Sequence, residues 1–332
     1  MARILVLGGA GFIGYHLASR LVAEGHTLTL VDDLSRGQAD AALQALLVRP
    51  GVTFHRTDLT RPGALDALDR GSPGDWEQVY MLAAVVGVRN VERDPSRVIR
   101  VNTLALLNVL AWLPGRGETL FFSSTSEAYA GGVSSGALPV PTPEDVPLSV
   151  PDPGAPRWAY AASKILGEAA VLHEARARKL RVVVGRFHNV YGPRMGADHV
   201  IPELSLRAIR HENPFRLYGA EQRRALCHVS DAVEAMVRLM AAEAAWGRVV
   251  NIGNDAEETR IGDLARLVLD IAGFAPTVEP MPAPPGSVDR RCPDLTRLRA
   301  LTGFQPKVGL AAGVRDTFDW YRRGAAAEGR GR

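Results

Sequence analysis

The sequence predicts an α/β protein, a doubly wound parallel sheet joined to a smaller C-terminal α/β lobe. Three observations carry this expectation. A glycine-rich turn, Gly8 to Gly14, connects an apolar segment to a helical one, and strand and helix patterns alternate over the first 190 residues. The length of 332 residues exceeds the roughly 250–300 residues at which a single core stops growing, so two lobes are expected.

Each element follows from its residues. Residues 3–7 are a short apolar run bounded by glycine, the pattern of a buried parallel strand. Phe12, Ile13, His16, Leu17, Leu21 and Val22 recur at helical spacing, and Gly25 supplies a left-handed closing position. Residues 27–31 are β-rich and end at Asp32-Asp33, so residues 3–32 form one strand–helix–strand unit of a nucleotide-binding fold. The alternation continues with a helix over 39–48, a strand over 52–56, a short helix opened by Pro62, a strand over 78–81, a helix over 102–112 and a strand over 119–122. Residues 128–156, rich in Gly, Ser and Pro, read as a long loop of the kind that serves active sites. A helix over 160–178 and a strand over 181–185 follow.

Beyond Gly192-Pro193 the pattern becomes helices and short strands separated by prolines. Expected are a helix over 201–211, a strand over 215–218, a helix capped by Ser230 and running to 243, a strand over 249–252 that rejoins the first sheet, and helices over 261–272 and 310–321. Residues 276–285 read as an ordered loop or linker. The division is then a dinucleotide-binding domain of residues 1–190 to which 228–254 returns, a second lobe of 191–227 and 255–322, and a flexible tail of 323–332.

Composition removes other classes. With 46% hydrophobic and 23% charged residues and a mean hydropathy of −0.02, the chain lies in the soluble globular range. No uncharged apolar run approaches the roughly 18 residues of a membrane span, so a cytoplasmic protein without membrane contact is expected. The two cysteines, Cys227 and Cys292, lack metal-ligand spacing, and no metal is expected. Basic residues number 39 against 36 acidic, and only Lys164, Lys179 and Lys307 are lysines. The basic clusters are short, so nucleic acid is not expected as a partner.

In Gly8-Gly9-Ala10-Gly11-Phe12-Ile13-Gly14, glycines allow a tight turn, close approach of a pyrophosphate and packing of helix on strand, while the helix N-terminus receives the phosphates. The spacing G-x-x-G-x-x-G departs from the usual G-x-G-x-x-G. Context supplies the weight, because Asp32 ends the next strand where a carboxylate can accept from both ribose hydroxyls and repel a 2′-phosphate. The expectation is a Rossmann-like domain that takes NAD rather than NADP, with Arg36 the one feature favouring a 2′-phosphate. Asp58 can bond the adenine amine, or cap the turn ahead of Pro62. Tyr160 and Lys164, four apart at a helix start, share one face. A lysine ammonium and a cationic nicotinamide ring both favour the phenolate of a tyrosine whose ordinary pKa is about 10. Tyr-x-x-x-Lys alone arises by chance; here it accompanies the glycine loop and Ser123-Ser124-Thr125-Ser126-Glu127 at a strand end.

Together these residues resemble the extended short-chain dehydrogenase/reductase family, in its nucleotide-sugar epimerase, dehydratase and decarboxylase branch. The resemblance runs through Gly8–Gly14, Val31 to Ser35, Leu82-Ala83-Ala84, Asn102, Thr125 to Tyr129, Tyr160/Lys164, Arg186 to Arg194 and Arg224 to Asp231. It implies NAD held by Gly8, Gly11, Phe12, Ile13, Gly14, Asp32, Asp33, Asp58, Leu59, Leu82, Ala83, Ala84, Asn102, Tyr160 and Lys164. Thr125 would bond the sugar 4-oxygen, Tyr160 take its proton, and Lys164 hold Tyr160 and the nicotinamide ribose. A nucleotide-sugar substrate, a UDP-sugar by preference, would meet Val88, Asn189, Arg194, Arg224 and Arg291, since a buried anion needs charged, forked donors. Relatives pair two helices into a four-helix bundle, which implies a homodimer. The sequence departs from the family at Ala130, where glycine is common, and at Arg223-Arg224-Ala225-Leu226, where Thr-Arg and an aromatic are common.

All branches begin by oxidising carbon 4 and diverge afterwards. Glu127, two residues past Thr125 on an extended chain, would face the sugar beside it; the alternative is a salt-bridged loop carboxylate. Thr-Ser-Glu looks like the motif of UDP-glucuronic acid decarboxylases and also occurs in GDP-mannose dehydratases, while dTDP-glucose 4,6-dehydratases usually carry Thr-Asp-Glu and 4-epimerases need no such acid. The expected reaction is decarboxylation of UDP-glucuronic acid through a 4-keto sugar, with a 4,6-dehydratase, a 4-epimerase and a non-catalytic NAD-binding regulator as alternatives.

Overall fold

The computed structural model describes residues 1–36, 39–70, 76–113, 117–283 and 287–330. In chain order the first lobe is built from β1 (Arg3–Leu7), α1 (Phe12–Ala23), β2 (Thr27–Asp32), α2 (Ala41–Leu47), β3 (Val52–Arg56), β4 (Trp76–Met81), α3 (Val88–Arg93), α4 (Pro95–Trp112), β5 (Gly117–Thr125), α5 (Ala130–Ser134), α6 (Ala159–Arg178) and β6 (Arg181–Phe187). There follow β7 (Val190–Tyr191), α7 (Val200–Ile209), β8 (Phe215–Tyr218), β9 (Arg223–Ala225), β10 (Cys227–His228), α8 (Val229–Ala241), β11 (Arg248–Ile252), β12 (Glu258–Arg260), α9 (Ile261–Ala272), β13 (Val278–Met281), β14 (Arg290–Arg291), α10 (Thr296–Thr302) and α11 (Leu310–Arg330).

Seven parallel strands form the central sheet in the order β3-β2-β1-β4-β5-β6-β11. Because successive strand residues point to opposite faces, Ile4 and Val6 enter one core with Leu17, Leu21 and Leu239, while Leu5 and Leu7 enter the other with Leu106, Val109 and Val171. Both faces are therefore covered by helices, as an all-parallel sheet requires. The strand order reverses between β1 and β4, and the crevice at their C-terminal ends is where such sheets take ligands. A third core, including Ile201, Leu264 and Phe318, supports the C-terminal lobe.

Several elements differ from the sequence expectation. α4 begins at Pro95 because Asp94 accepts from the Arg97 amide at 2.8 Å and Pro95 occupies the first turn. β5 and β6 run on to Thr125 and Phe187. The helix from Pro62 is a 3-10 turn at Asp66–Arg70, and the long loop after residue 128 contains α5. α8 is capped by His228, whose Nδ1 accepts from the Ser230 amide, so Ser230 lies inside the helix. The segment 276–285 holds β13, which pairs in parallel with β8; in a two-stranded sheet Pro280 can sit on an edge, where its missing N–H costs no ladder bond. Residues 284–286 lie outside the described residues. The expected flexible tail from 323 instead continues α11 to Arg330, through residues that include the helix-favouring run Ala325-Ala326-Ala327. Among the described residues, no helix is long and apolar enough to cross a membrane and no group of three His, Cys, Asp or Glu could hold a metal.

Candidate active site

The cofactor cradle is assembled at the sheet's switch point. Gly8 turns the chain at φ +92°, and a Cβ there would lie 2.7 Å from the Ala83 amide nitrogen after β4. A Cβ on Gly14 would collide with the Gly8 carbonyl oxygen, so both glycines are sterically required. Gly11 caps α1 without a side-chain bond, leaving first-turn amides for an anion, and Phe12 and Ile13 open that helix. At the end of β2, the Asp32 carboxylate accepts from Ala10 N at 3.0 Å and Leu34 N at 2.8 Å. Burial pushes its pKa up. A carboxylate has about four acceptor positions, so room remains for a ribose diol. These residues fit a bound dinucleotide.

Other expected cofactor residues shape the crevice. Asp33 accepts from Ser35 N at 2.8 Å in the turn after β2. Asp58 accepts from Thr60 N and Oγ1 at 2.9 and 2.7 Å, which holds its carboxyl below the usual range and makes it a turn cap. The Leu59 carbonyl is held by Asn108, and the Leu82 amide bonds Leu7 O. The Asn102 amide group accepts from Val85 N at 2.7 Å and donates to Val85 O and Ser163 Oγ at 3.2 and 3.1 Å. It therefore fastens the loop carrying Ala83 and Ala84 to α6.

Across this crevice the residues expected to be catalytic converge. Thr125 ends β5, Tyr160 and Lys164 lie in the first turns of α6, and the Thr125 hydroxyl is near enough to the Tyr160 phenol to favour its ionised form. Lys164 donates to Ser123 O at 2.7 Å, and its Nζ is 6.0 Å from the Tyr160 ring centre. The electrostatics differ from the sequence expectation. Burial and the Glu127 carboxylate push the phenol up, the Thr125 hydroxyl and Arg36 oppose them, and burial brings Lys164 down to about 7. A desolvated lysine is itself reluctant to carry charge, which weakens its leverage on the tyrosine.

Glu127 reaches the site by another route than expected. The chain is not extended past Thr125 but turns into a 3-10 segment, Ser126–Tyr129, with Glu127 N donating to Thr125 Oγ1 at 3.2 Å. Arg291 Nη1 donates to Glu127 Oε1 at 2.5 Å, and Arg157 Nη2 lies 3.8 Å from Oε2. Although burial opposes it, Arg291, Arg157 and Arg224 hold the Glu127 carboxyl below its usual range. Burial depresses Arg157, and burial together with Arg291 brings Arg224 down to about 10. Arg157 Nε and Nη2 and Arg291 Nε are buried without a hydrogen-bond partner. Sequence reasoning missed Arg157; the available signal was its place one turn ahead of Tyr160, in the 3-10 segment Pro156–Trp158.

The remaining expected substrate residues divide. On β9, Arg223 faces outward and Arg224 inward, where it donates to the carbonyls of Arg223 and Asp289. Asn189, at φ +41°, gives its amide to Ala225 O at 3.0 Å, and the buried Arg194 pairs with the half-buried Asp40 and stacks 4.0 Å over Tyr15. Those side chains brace β9 and the α2 N-terminus. Val88 opens α3, and its side chain lies outside the described residues.

The sequence model of the NAD dependent epimerase/dehydratase family matches residues 4–253. UDP-N-acetyl-alpha-D-glucosaminuronate decarboxylase of Bacillus cytotoxicus is 31% identical over 335 residues, 96% of this chain and 98% of that protein. UDP-glucuronic acid decarboxylase 2 of Arabidopsis thaliana is 30% identical over 315 residues, 94% of this chain and 66% of the plant protein, so the chain spans about two thirds of that relative's length. Among solved structures, UDP-glucose 4-epimerase of Thermus thermophilus in complex with NAD superposes with a TM-score of 0.80 at 31% identity, covering 97% of this chain and 99% of that one. With a family match across the sheet, the glycine cradle and Tyr160/Lys164 in place, this chain belongs to the NAD dependent epimerase/dehydratase family and is an NAD-dependent enzyme of that family.

Proposed function

We propose that the protein decarboxylates UDP-glucuronic acid through a 4-keto intermediate. The observation that carries this reading is the surround of Glu127, where Arg291 donates to one carboxylate oxygen, Arg157 lies 3.8 Å from the other and Arg224 adds its positive charge. Such a surplus of buried positive charge suits a sugar that carries its own carboxylate. The relatives named as uronate decarboxylases support the same reading.

Bound NAD supplies the hydride acceptor for sugar carbon 4. Tyr160 takes the 4-hydroxyl proton, Thr125 bonds the 4-oxygen, and Lys164 positions Tyr160 and the cofactor ribose. The new ketone makes the uronate a β-keto acid. Its carbon 5–carbon 6 bond then breaks, the electron pair enters the carbon 4–carbon 5 enolate, carbon dioxide leaves, carbon 5 takes a proton from water, and return of the hydride to carbon 4 with the proton held by Tyr160 restores the 4-hydroxyl. Arg291 and Arg157 hold the departing carboxylate with the N–H groups they leave unbonded. Glu127, kept ionised by its arginines, orients them and can accept rather than donate a proton. Arg224 receives the nucleotide side of the substrate, whereas Asn189 and Arg194 act as braces.

Incubation with a panel of UDP-sugars and weighing of the products tests this. UDP-glucuronate should yield a product lighter by carbon dioxide; unchanged mass would indicate a 4-epimerase, and loss of water a dehydratase. The functional form is a homodimer, supported by exposed Ile99, Leu104 and Leu107 on α4 and Leu166 on the adjoining α6. A monomer mass by light scattering at micromolar concentration would contradict it.

A further inference from the structure

The Arg36 guanidinium lies across β1 from its own strand. Arg36 follows Asp32 at the end of β2, yet its Nη1 donates to Val86 O in the loop after β4, and Asn90 Nδ2 donates to the same carbonyl at 2.8 Å. A Cβ on Gly87 would stand 3.7 and 3.8 Å from Arg36 Nη1 and Nη2, and one on Gly196, beyond β7, would stand 3.6 Å from Nη2. The group thus sits where the segments after β2, β4 and β7 meet. Arg89 of α3 ties the last two together through Asp198 at 2.9 Å. Because β2 and β4 flank β1, the Arg36 side chain runs from one wall of the cofactor crevice to the other, past a glycine turn whose residues 8–14 carry no charge.

We propose that Arg36 is a clasp for the cofactor: it closes from the β2 wall to the β4 wall over the pyrophosphate of bound NAD and slows its release. The inference concerns the cofactor and is independent of which sugar is bound. A dinucleotide whose ribose meets Asp32 and whose nicotinamide reaches Tyr160 and Lys164 passes between the ends of β2 and β4, with its phosphates at the α1 N-terminus. That anion carries two charges, and a planar, forked guanidinium is the donor suited to it. Val86 O engages one of the five N–H groups an arginine offers. Arg36 is exposed, so the clasp can open for exchange. Its bond to the β4 wall also aims it away from the Asp32 ribose, where a 2′-phosphate would lie.

Release of the cofactor tests this without any sugar. Protein loaded with NADH is mixed with excess NAD, and loss of bound-NADH fluorescence is followed in time. Arg36→Met, which keeps an apolar stem but no charge, should release NADH about tenfold faster or more than the parent. Arg36→Lys, with charge but no fork, should be intermediate. Affinity for ADP-ribose, which has the pyrophosphate but no nicotinamide, should fall in step in Arg36→Met, and the cofactor-free variant should unfold at the parent's temperature. Release at the parent's rate overturns the proposal, as does unchanged affinity for ADP-ribose. A loss confined to NADP affinity overturns it too, by assigning Arg36 to a 2′-phosphate, and faster release with a matching drop in the cofactor-free unfolding temperature overturns it by marking a packing role. If Arg36→Met does not fold, Arg36→Lys carries the test, and an unchanged release rate there overturns it.

Discussion

Arg291 Nη1 meets Glu127 Oε1 at 2.5 Å although the two residues are 164 positions apart, so a C-terminal strand closes onto the end of the central sheet's fifth strand. If that pair works on the carboxylate after oxidation, Glu127→Gln should leave the first step intact. NADH absorbance should rise on mixing with substrate, while carbon dioxide release slows. The amide keeps the volume and a hydrogen-bond acceptor but loses the charge that orients two arginines. Product formation at the parent's rate would reduce Glu127 to a structural carboxylate.

Tyr160→Phe removes the phenol but little packing volume. Cofactor should still bind, and turnover should fall by about two powers of ten or more. Turnover within a few-fold of the parent would place the base elsewhere.

Lys164 makes a stability prediction with a definite sign. Its folded pKa is lowered by burial from 10.5 to about 7, so between those values the unfolded chain binds a proton that the folded one does not. The lysine's contribution to stability therefore rises with pH across that window, and its penalty is greatest at and below about pH 7. Lys164→Met should be more stable than the parent at neutral pH, with the gap narrowing towards about pH 10 in urea titrations. A gap independent of pH would contradict this. The variant should also bind NAD less tightly.

At Gly14 a methyl group has nowhere to go, since the Cβ would collide with Gly8 O. Gly14→Ala should cost about 1–3 kcal/mol or more of stability and weaken NAD binding measured by fluorescence titration. Full-strength binding would contradict the close helix-to-turn packing assigned to this glycine.

The legible parts of the molecule were those written locally. Strand–glycine–helix succession revealed the sheet, and the four-residue spacing of Tyr160 and Lys164 revealed a shared helical face. The Asp94-Pro95 start of α4 is likewise a local signal, a capping side chain followed by a first-turn proline. β13 was hidden because Pro280 argues against a strand until its edge position is known. The Glu127–Arg291–Arg157 cluster joins a strand end, a distant short strand and a turn before α6, a convergence no spacing within one segment could reveal. Asn189 and Arg194 show the converse: their motif is visible in sequence, but the bonds they make to Ala225 and Asp40 are tertiary.

The most direct measurement uses UDP-glucuronic acid labelled with carbon-13 at carbon 6, followed by NMR in the presence of the NAD-loaded protein. Expected is loss of the uronate carboxyl signal with matching growth of labelled carbon dioxide and bicarbonate, abolished in Tyr160→Phe. A label that stays on the sugar while other UDP-sugars are epimerised or dehydrated would contradict the decarboxylase reading.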